Sequence, residues 1–159
     1  MTPKTLRRSA LVGTLALLGT MVTAQTALAG SWVTPGATVV PGSASQPDGA
    51  IFDDGSAFAI WIEGGSVNFA NRPPGGGWGP PQRLGGAGAQ NLDVESEENG
   101  RAAATWRDAN GAVGVAVRQV DGTWGTPALV SSASNVPPAV GVSANGDATT
   151  VYQEGTTVL

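Results

Sequence analysis

The chain is predicted to be all-β and built of propeller-type blades, each of four short antiparallel strands. Three observations carry that reading. Trp32, Trp78 and Trp124 stand in fixed register, since 78 − 32 and 124 − 78 both equal 46, and a constant period of this length marks a repeat architecture. Gly55, Gly100 and Gly146 follow in the same rhythm, at intervals of 45 and 46. Between these marks apolar residues alternate with a period of two, and no stretch shows a helical period. Four strands per unit of this length fit a blade. A flat sandwich of short strands is the alternative, but it has no need of evenly spaced tryptophans.

Residues 1–29 stand apart from the repeats. A cationic start (Lys4, Arg7, Arg8) precedes an apolar run from Ala10 to Val22, and the segment closes on Ala27-Leu28-Ala29. That is the pattern of a secretory signal peptide, which predicts an extracellular protein. The apolar run is short for a membrane span. Ala10 stands where a twin-arginine signal carries an aromatic residue, which favours general secretion.

Cleavage after Ala29 leaves 159 − 29 = 130 residues, with five arginines, no lysine and twelve acids, a net charge of −7. Such a surface repels phosphate backbones and anionic lipid, so neither nucleic acid nor membrane is an expected partner. The chain has no cysteine and no histidine. That removes disulfides, Ser-His-Asp and Cys-His catalysis, and zinc sites of the His or Cys type.

The remaining elements follow in order. Residues 30–46 form a lone outer strand carrying Trp32, 47–91 blade 1, 92–137 blade 2 and 138–159 an incomplete blade 3. The first strand of each blade (48–52, 93–96, 139–143) runs into a hairpin turn: Asp53-Asp54-Gly55, Glu98-Asn99-Gly100 or Ala144-Asn145-Gly146. Asn-Gly is a strong hairpin signal because both residues tolerate positive φ. The second strand (57–62, 102–107, 148–153) carries small residues on one face and ends that face on Trp61, Trp106 or Tyr152. Such a face fits a strand packed closely against a neighbouring sheet. After a further turn comes the third strand (67–72, 113–118, then the start at Val158). The fourth is expected to begin at Trp78 or Trp124 and to continue through Arg83-Leu84 or Leu129-Val130. The one-residue slip between the first two copies is expected between Arg72 and Gly100.

The stretches Gly100-Arg101-Ala102-Ala103-Ala104-Thr105-Trp106, Val113 to Arg118 and Gly122-Thr123-Trp124-Gly125-Thr126-Pro127 resemble the repeats of exported bacterial β-propellers, distantly those of the sialidase type. The resemblance covers nearly all of the mature chain. It implies a propeller and, more remotely, a fragment of a sialidase-like glycoside hydrolase. The sialidase Asp-box resembles S-x-D-x-G-x-T-W. Asp121-Gly122-Thr123-Trp124 has its end, but with the aspartate one place closer to the glycine, and Pro74 to Trp78 has no aspartate. The three convergent arginines, the acid and the Tyr–Glu pair that the resemblance would imply have no residue-by-residue counterparts.

Closed propellers carry four to eight blades, whereas 130 residues hold just under three units of 46. Two expectations follow: a piece of a longer propeller, or partial rings that complete themselves by self-association.

Residues that recur in every copy are expected to be architectural. Trp32, Trp78, Trp124, Trp61, Trp106 and Tyr152 are therefore assigned as packing anchors. Candidate function is sought where copies differ. Arg101 and Arg107 are particular to one copy and lie on one strand face, suiting a carboxylate sugar or an acidic partner. Asn68 and Phe69 replace Gly114 and Val115, as pocket lining or core filling. Glu63, Asp108 and Glu154 each precede the same turn, where they suit either turn hydrogen bonds or a shared hard cation such as calcium. The acidic run Asp93, Glu95, Glu97, Glu98 reads as a solvated charged turn. No catalytic residue and no other cofactor is assigned. The sequence reading is a secreted, non-catalytic binding or scaffold module with a glycan or extracellular protein partner, and the hydrolase fragment is the alternative.

Overall fold

The computed structural model describes Val39 and residues 42–159. The signal peptide expected over 1–29, Trp32 and most of the lone strand expected over 30–46 lie outside the described residues. Ser45 and Gln46, the end of that span, already belong to the first sheet.

The described residues form twelve strands. The first sheet has the order β1 (Ser45–Ile51), β2 (Ala57–Glu63), β3 (Ser66–Arg72), β4 (Gln82–Gly85). The second has the order β5 (Gln90–Ser96), β6 (Ala102–Arg107), β7 (Val113–Arg118), β8 (Ala128–Ser131). Both are antiparallel throughout. A third unit comprises two hairpins, β9 (Ala139–Val142) with β10 (Ala148–Val151), and β11 (Gln153–Glu154) with β12 (Thr157–Val158). The chain is thus all-β with four-stranded antiparallel sheets. Two sheets and a remainder do not close a ring among the described residues.

The two sheets are copies down to their irregularities. The register of β1 on β2 shifts between Ser45 and Asp48, and that of β5 on β6 between Gln90 and Asp93. Each bulge holds a non-glycine residue at positive φ, Gln46 at 48° and Asn91 at 56°. A second bulge recurs between the third and fourth strands, at Val67/Asn68 and Val113/Gly114. Repeated bulges bend both sheets in the same way, and bulges are built features of a sheet.

The turns refine one expectation and correct another. In the first hairpins only the glycines adopt positive φ: Gly55 at 79°, Gly100 at 95° and Gly146 at 95°. The amides of Phe52, Glu97 and Ser143 donate to the carbonyls of Ser56, Arg101 and Asp147, and each glycine amide donates back to the first residue. The loop is therefore a three-residue turn over 53–55, 98–100 and 144–146, as the sequence reads it, and it ends on a glycine bulge. The preceding Asp54 and Asn99 accept from the amides of Ser56 and Arg101 at 2.8 and 3.1 Å, as local side-chain turns do. The one-residue slip also moves. Glu63 pairs with Ser66 across Gly64-Gly65 in the first sheet, whereas Asp108 to Ala112 form a longer loop in the second. The extra residue therefore sits in the β2–β3 type of turn, upstream of Arg72.

The fourth strands are corrected in part. Trp124 forms an isolated antiparallel bridge with Arg118, and the Gly79 and Gly125 amides donate to the Asn71 and Val117 carbonyls, but the continuous strands begin only at Gln82 and Ala128. Pro80, Pro81 and Pro127 follow the tryptophans, and a residue without an N–H cannot extend the ladder.

The main core lies between the first and second sheets. Phe58, Ile60 and Ile62 of β2, with Val67 and Phe69 of β3, face Ala102, Ala104 and Trp106 of β6 and Ala116 of β7. Large residues on one sheet meet small ones on the next, which lets the sheets approach at interior density. Trp106 pairs across the ladder with Gly114. A Cβ at Gly114 would lie 2.6 Å from Cε2 of that indole. Gly114→Ala is expected to cost about 1–3 kcal/mol by overpacking, read as a lowered urea midpoint at unchanged slope. An unchanged midpoint would contradict this packing.

Candidate functional site

Two junctions between units position the candidate residues. At the first, Arg118 from the end of β7 and Trp124 beyond it reach onto the first sheet. Trp124 stands edge-on to Phe58, with ring centres 5.6 Å apart, and 5.9 Å from Phe69. The Arg118 guanidinium lies 4.8 Å from the Phe52 ring centre and 5.5 Å from that of Phe58. Nη1 donates to the Gly100 carbonyl and Nη2 to Asn71 Oδ1 at 3.4 Å. Asn71 in turn donates to the Gly122 carbonyl at 2.9 Å. The side chain is 3% exposed, and its Nε has no partner among the described residues. Burial lowers the Arg118 pKa, while the charges of Asp121 and Asp54 oppose that shift.

Asp54 and Asp121 are themselves held below the ordinary value of 3.8, first by the hydroxyls of Ser56 and Thr123, then by the amides of the same residues. A carboxyl whose folded pKa lies below its unfolded pKa adds stability above the unfolded value and loses it as pH falls through the folded one. The folded chain is therefore expected to lose stability as pH drops below 3.8. Urea midpoints across that window check it: Asp54→Asn and Asp121→Asn should flatten the decline.

At the second junction the third unit lies against the second sheet. Arg101 and Arg107 are brought to the same face, as their alternation requires. The Arg101 guanidinium packs against Gly146, and its Nη1 donates to Gln119 Oε1 at 3.2 Å. Arg107 Nη1 donates to the Ser134 carbonyl at 3.3 Å. Both arginines thus join this junction. Asp93 Oδ2 accepts from the Val140 amide at 2.8 Å, so one member of the acidic run also ties the third unit down.

The other sequence candidates are placed as follows. Phe69 is buried in the core against Trp124. Asn68 donates to the Ser66 carbonyl at 2.9 Å, within its own turn. Glu63 accepts from Trp61 Nε1 at 3.4 Å, Asp108 Oδ1 from the amides of Asn110 and Ala112, and Glu154 Oε1 from Ser131 at 2.5 Å. These three carboxylates do not converge, and no group of three metal-ligating side chains occurs among the described residues. Trp61 and Trp106 are buried. Trp78 is half-buried under the Arg72 guanidinium, 5.6 Å from the ring centre. Tyr152 donates its hydroxyl to the Val130 carbonyl at 2.8 Å.

Among the depressions open at these junctions, two gather several of the candidate carboxylates. One, of about 390 Å³, runs along the first-hairpin turns and gathers Asp53, Asp54, Glu97, Glu98 and Asn99. Asn99 bridges it by donating to the Ala144 carbonyl. The larger, of about 650 Å³, lies between the second sheet and the third unit. It is lined by Asp108, Asn110, Leu129, Ser131, Ser132 and Glu154, among others. The pairing of Asp108 with Glu154 is visible in the repeat; the serines that join them are not, because their significance depends on what the neighbouring aromatic does.

No protein-family model matches the chain, and no curated protein matches its sequence. No helix among the described residues is long and apolar enough to cross a membrane.

Proposed function

We propose that the chain is a secreted, non-catalytic binding or scaffold module whose sheets are propeller-type blades, with a glycan or an extracellular protein as its partner. The division of labour among its residues carries this reading. Trp106, Arg118 and Trp124, all repeat-locked, are spent on joining one sheet to the next. The larger open depression lies where the copies diverge. The five arginines serve separate partners: the Trp78 ring, the Gly86 carbonyl, Gln119, the Ser134 carbonyl, and the Phe52–Phe58 pair with Gly100. A three-arginine clamp for a sugar carboxylate would need them together.

Glycan-array and extracellular-protein binding by the secreted chain tests the proposal. Saturable binding without turnover is the expected result. Hydrolysis of a fluorogenic sialoside would overturn it in favour of the hydrolase fragment. Self-association that completes a ring belongs to the same reading, and light scattering should then give a mass above that of one chain.

A further inference from the structure

We propose that the depression between the second sheet and the third unit binds a neutral saccharide. This deepens the binding-module reading and rests on it. The argument comes from comparing the two junctions. At the first, the Trp106 indole lies on Gly85 and Gly86, where added Cβ atoms would come within 3.0 and 3.5 Å of it. An indole thus occupies the space above that glycine pair. At the second junction the residues 46 positions on are Ser131, Ser132 and Tyr152. The Tyr152 ring is instead tied through its hydroxyl to the Val130 carbonyl. Ser131 turns its hydroxyl to Glu154 Oε1 and accepts from the Ala133 amide at 3.2 Å. With these three residues changed, and with two hairpins in place of a four-stranded sheet, the filled apolar joint gives way to an open polar depression of about 650 Å³, within the size range of small-ligand sites.

The lining selects the ligand. Asp108 Oδ1 is engaged by two amides and Glu154 Oε1 by Ser131. The second oxygen of each carboxylate has no partner among the described residues and can accept from a ligand hydroxyl. Asn110 and Ser132 can both donate and accept. Leu129, 72% exposed, and Val130 offer an apolar surface beside them. Hydroxyls that donate and accept, on a ring with an apolar C–H face, match this set. An ammonium group donates only and would leave the Asn110 and Ser132 donors unused. An anionic sugar meets two carboxylates with no cationic residue in the lining, which opposes it.

Calorimetric titration of the secreted chain with maltotriose, cellotriose and chitotriose tests the proposal, with sialyllactose and a polylysine peptide as comparators. At least one neutral trisaccharide is expected to bind saturably, and sialyllactose is not. Ser132→Arg, at an exposed rim position, should weaken that binding by about tenfold or more. The triple variant Ser131→Gly, Ser132→Gly, Tyr152→Trp restores the first junction's residues and should also abolish it, with its thermal midpoint kept. If the triple variant fails to fold, Ser132→Arg alone decides. Binding unaffected by Ser132→Arg, binding of polylysine or sialyllactose alone, or no binding of any trisaccharide would overturn the site. If a protein or another glycan still binds in that last case, the module reading survives; if nothing binds, both fall.

Discussion

Trp106→Ala is expected to destabilise the chain by about 3–5 kcal/mol, the range for removing a large buried aromatic. That is a large share of the ~5–15 kcal/mol that holds a typical domain together. The indole is 2% exposed and packs on Gly114 within its own sheet and on Gly85 and Gly86 of the sheet before it. Backbone forms much of that surface, and backbone cannot collapse into the cavity. Trp78 gives the contrast. It carries the repeat period but is half-buried under Arg72, so Trp78→Ala should cost less than half as much. Urea unfolding of both variants checks this, and equal losses would contradict the packing described.

Arg118→Ala is expected to cost about 2–3 kcal/mol. A desolvated cation over aromatic rings is worth up to ~2 kcal/mol, and hydrogen bonds from a charged group ~1.5–3 kcal/mol each when lost. Against these stands the cost of burying a guanidinium whose Nε finds no partner. Alanine also leaves the Gly100 carbonyl and Asn71 short of a donor and opens a space between the sheets. Arg118→Met keeps most of the volume and removes the desolvation cost. Buried charges often exchange for apolar residues with little loss, so its cost should stay under about 1 kcal/mol. Equal destabilisation by alanine and methionine would show that charge, rather than filling of the joint, is what the position needs.

The strands were legible in the sequence because period-two alternation and recurrent glycines report directly on backbone state. Ala102 to Arg107 and Val113 to Arg118 have the bounds their pattern predicts. The starts of the fourth strands are only partly legible: Trp124 does bridge to Arg118, but the prolines that follow each tryptophan interrupt the ladder before the continuous strand begins. The position of the slip is hidden because Gly64-Gly65 and Ala109-Asn110-Gly111 both read as turns, and only the pairing of Glu63 with Ser66 shows which is shorter. The arginines at 101 and 107 were rightly placed on one face, but the third unit that lies against it leaves no mark in their spacing. The polar depression was the least visible feature. Ser131 and Ser132 look like ordinary loop residues until the Trp106 indole is seen lying on the equivalent glycines.

The central claim is that successive sheets stack face to face, with the tryptophan after one third strand seated on the phenylalanines of the sheet before. Proton NMR of the chain tests it most directly. Cross-relaxation from the Trp124 indole to the ring protons of Phe58 and Phe69 is the predicted result. An indole that relaxes only with its own sheet, with neither phenylalanine in reach, would contradict the stacking.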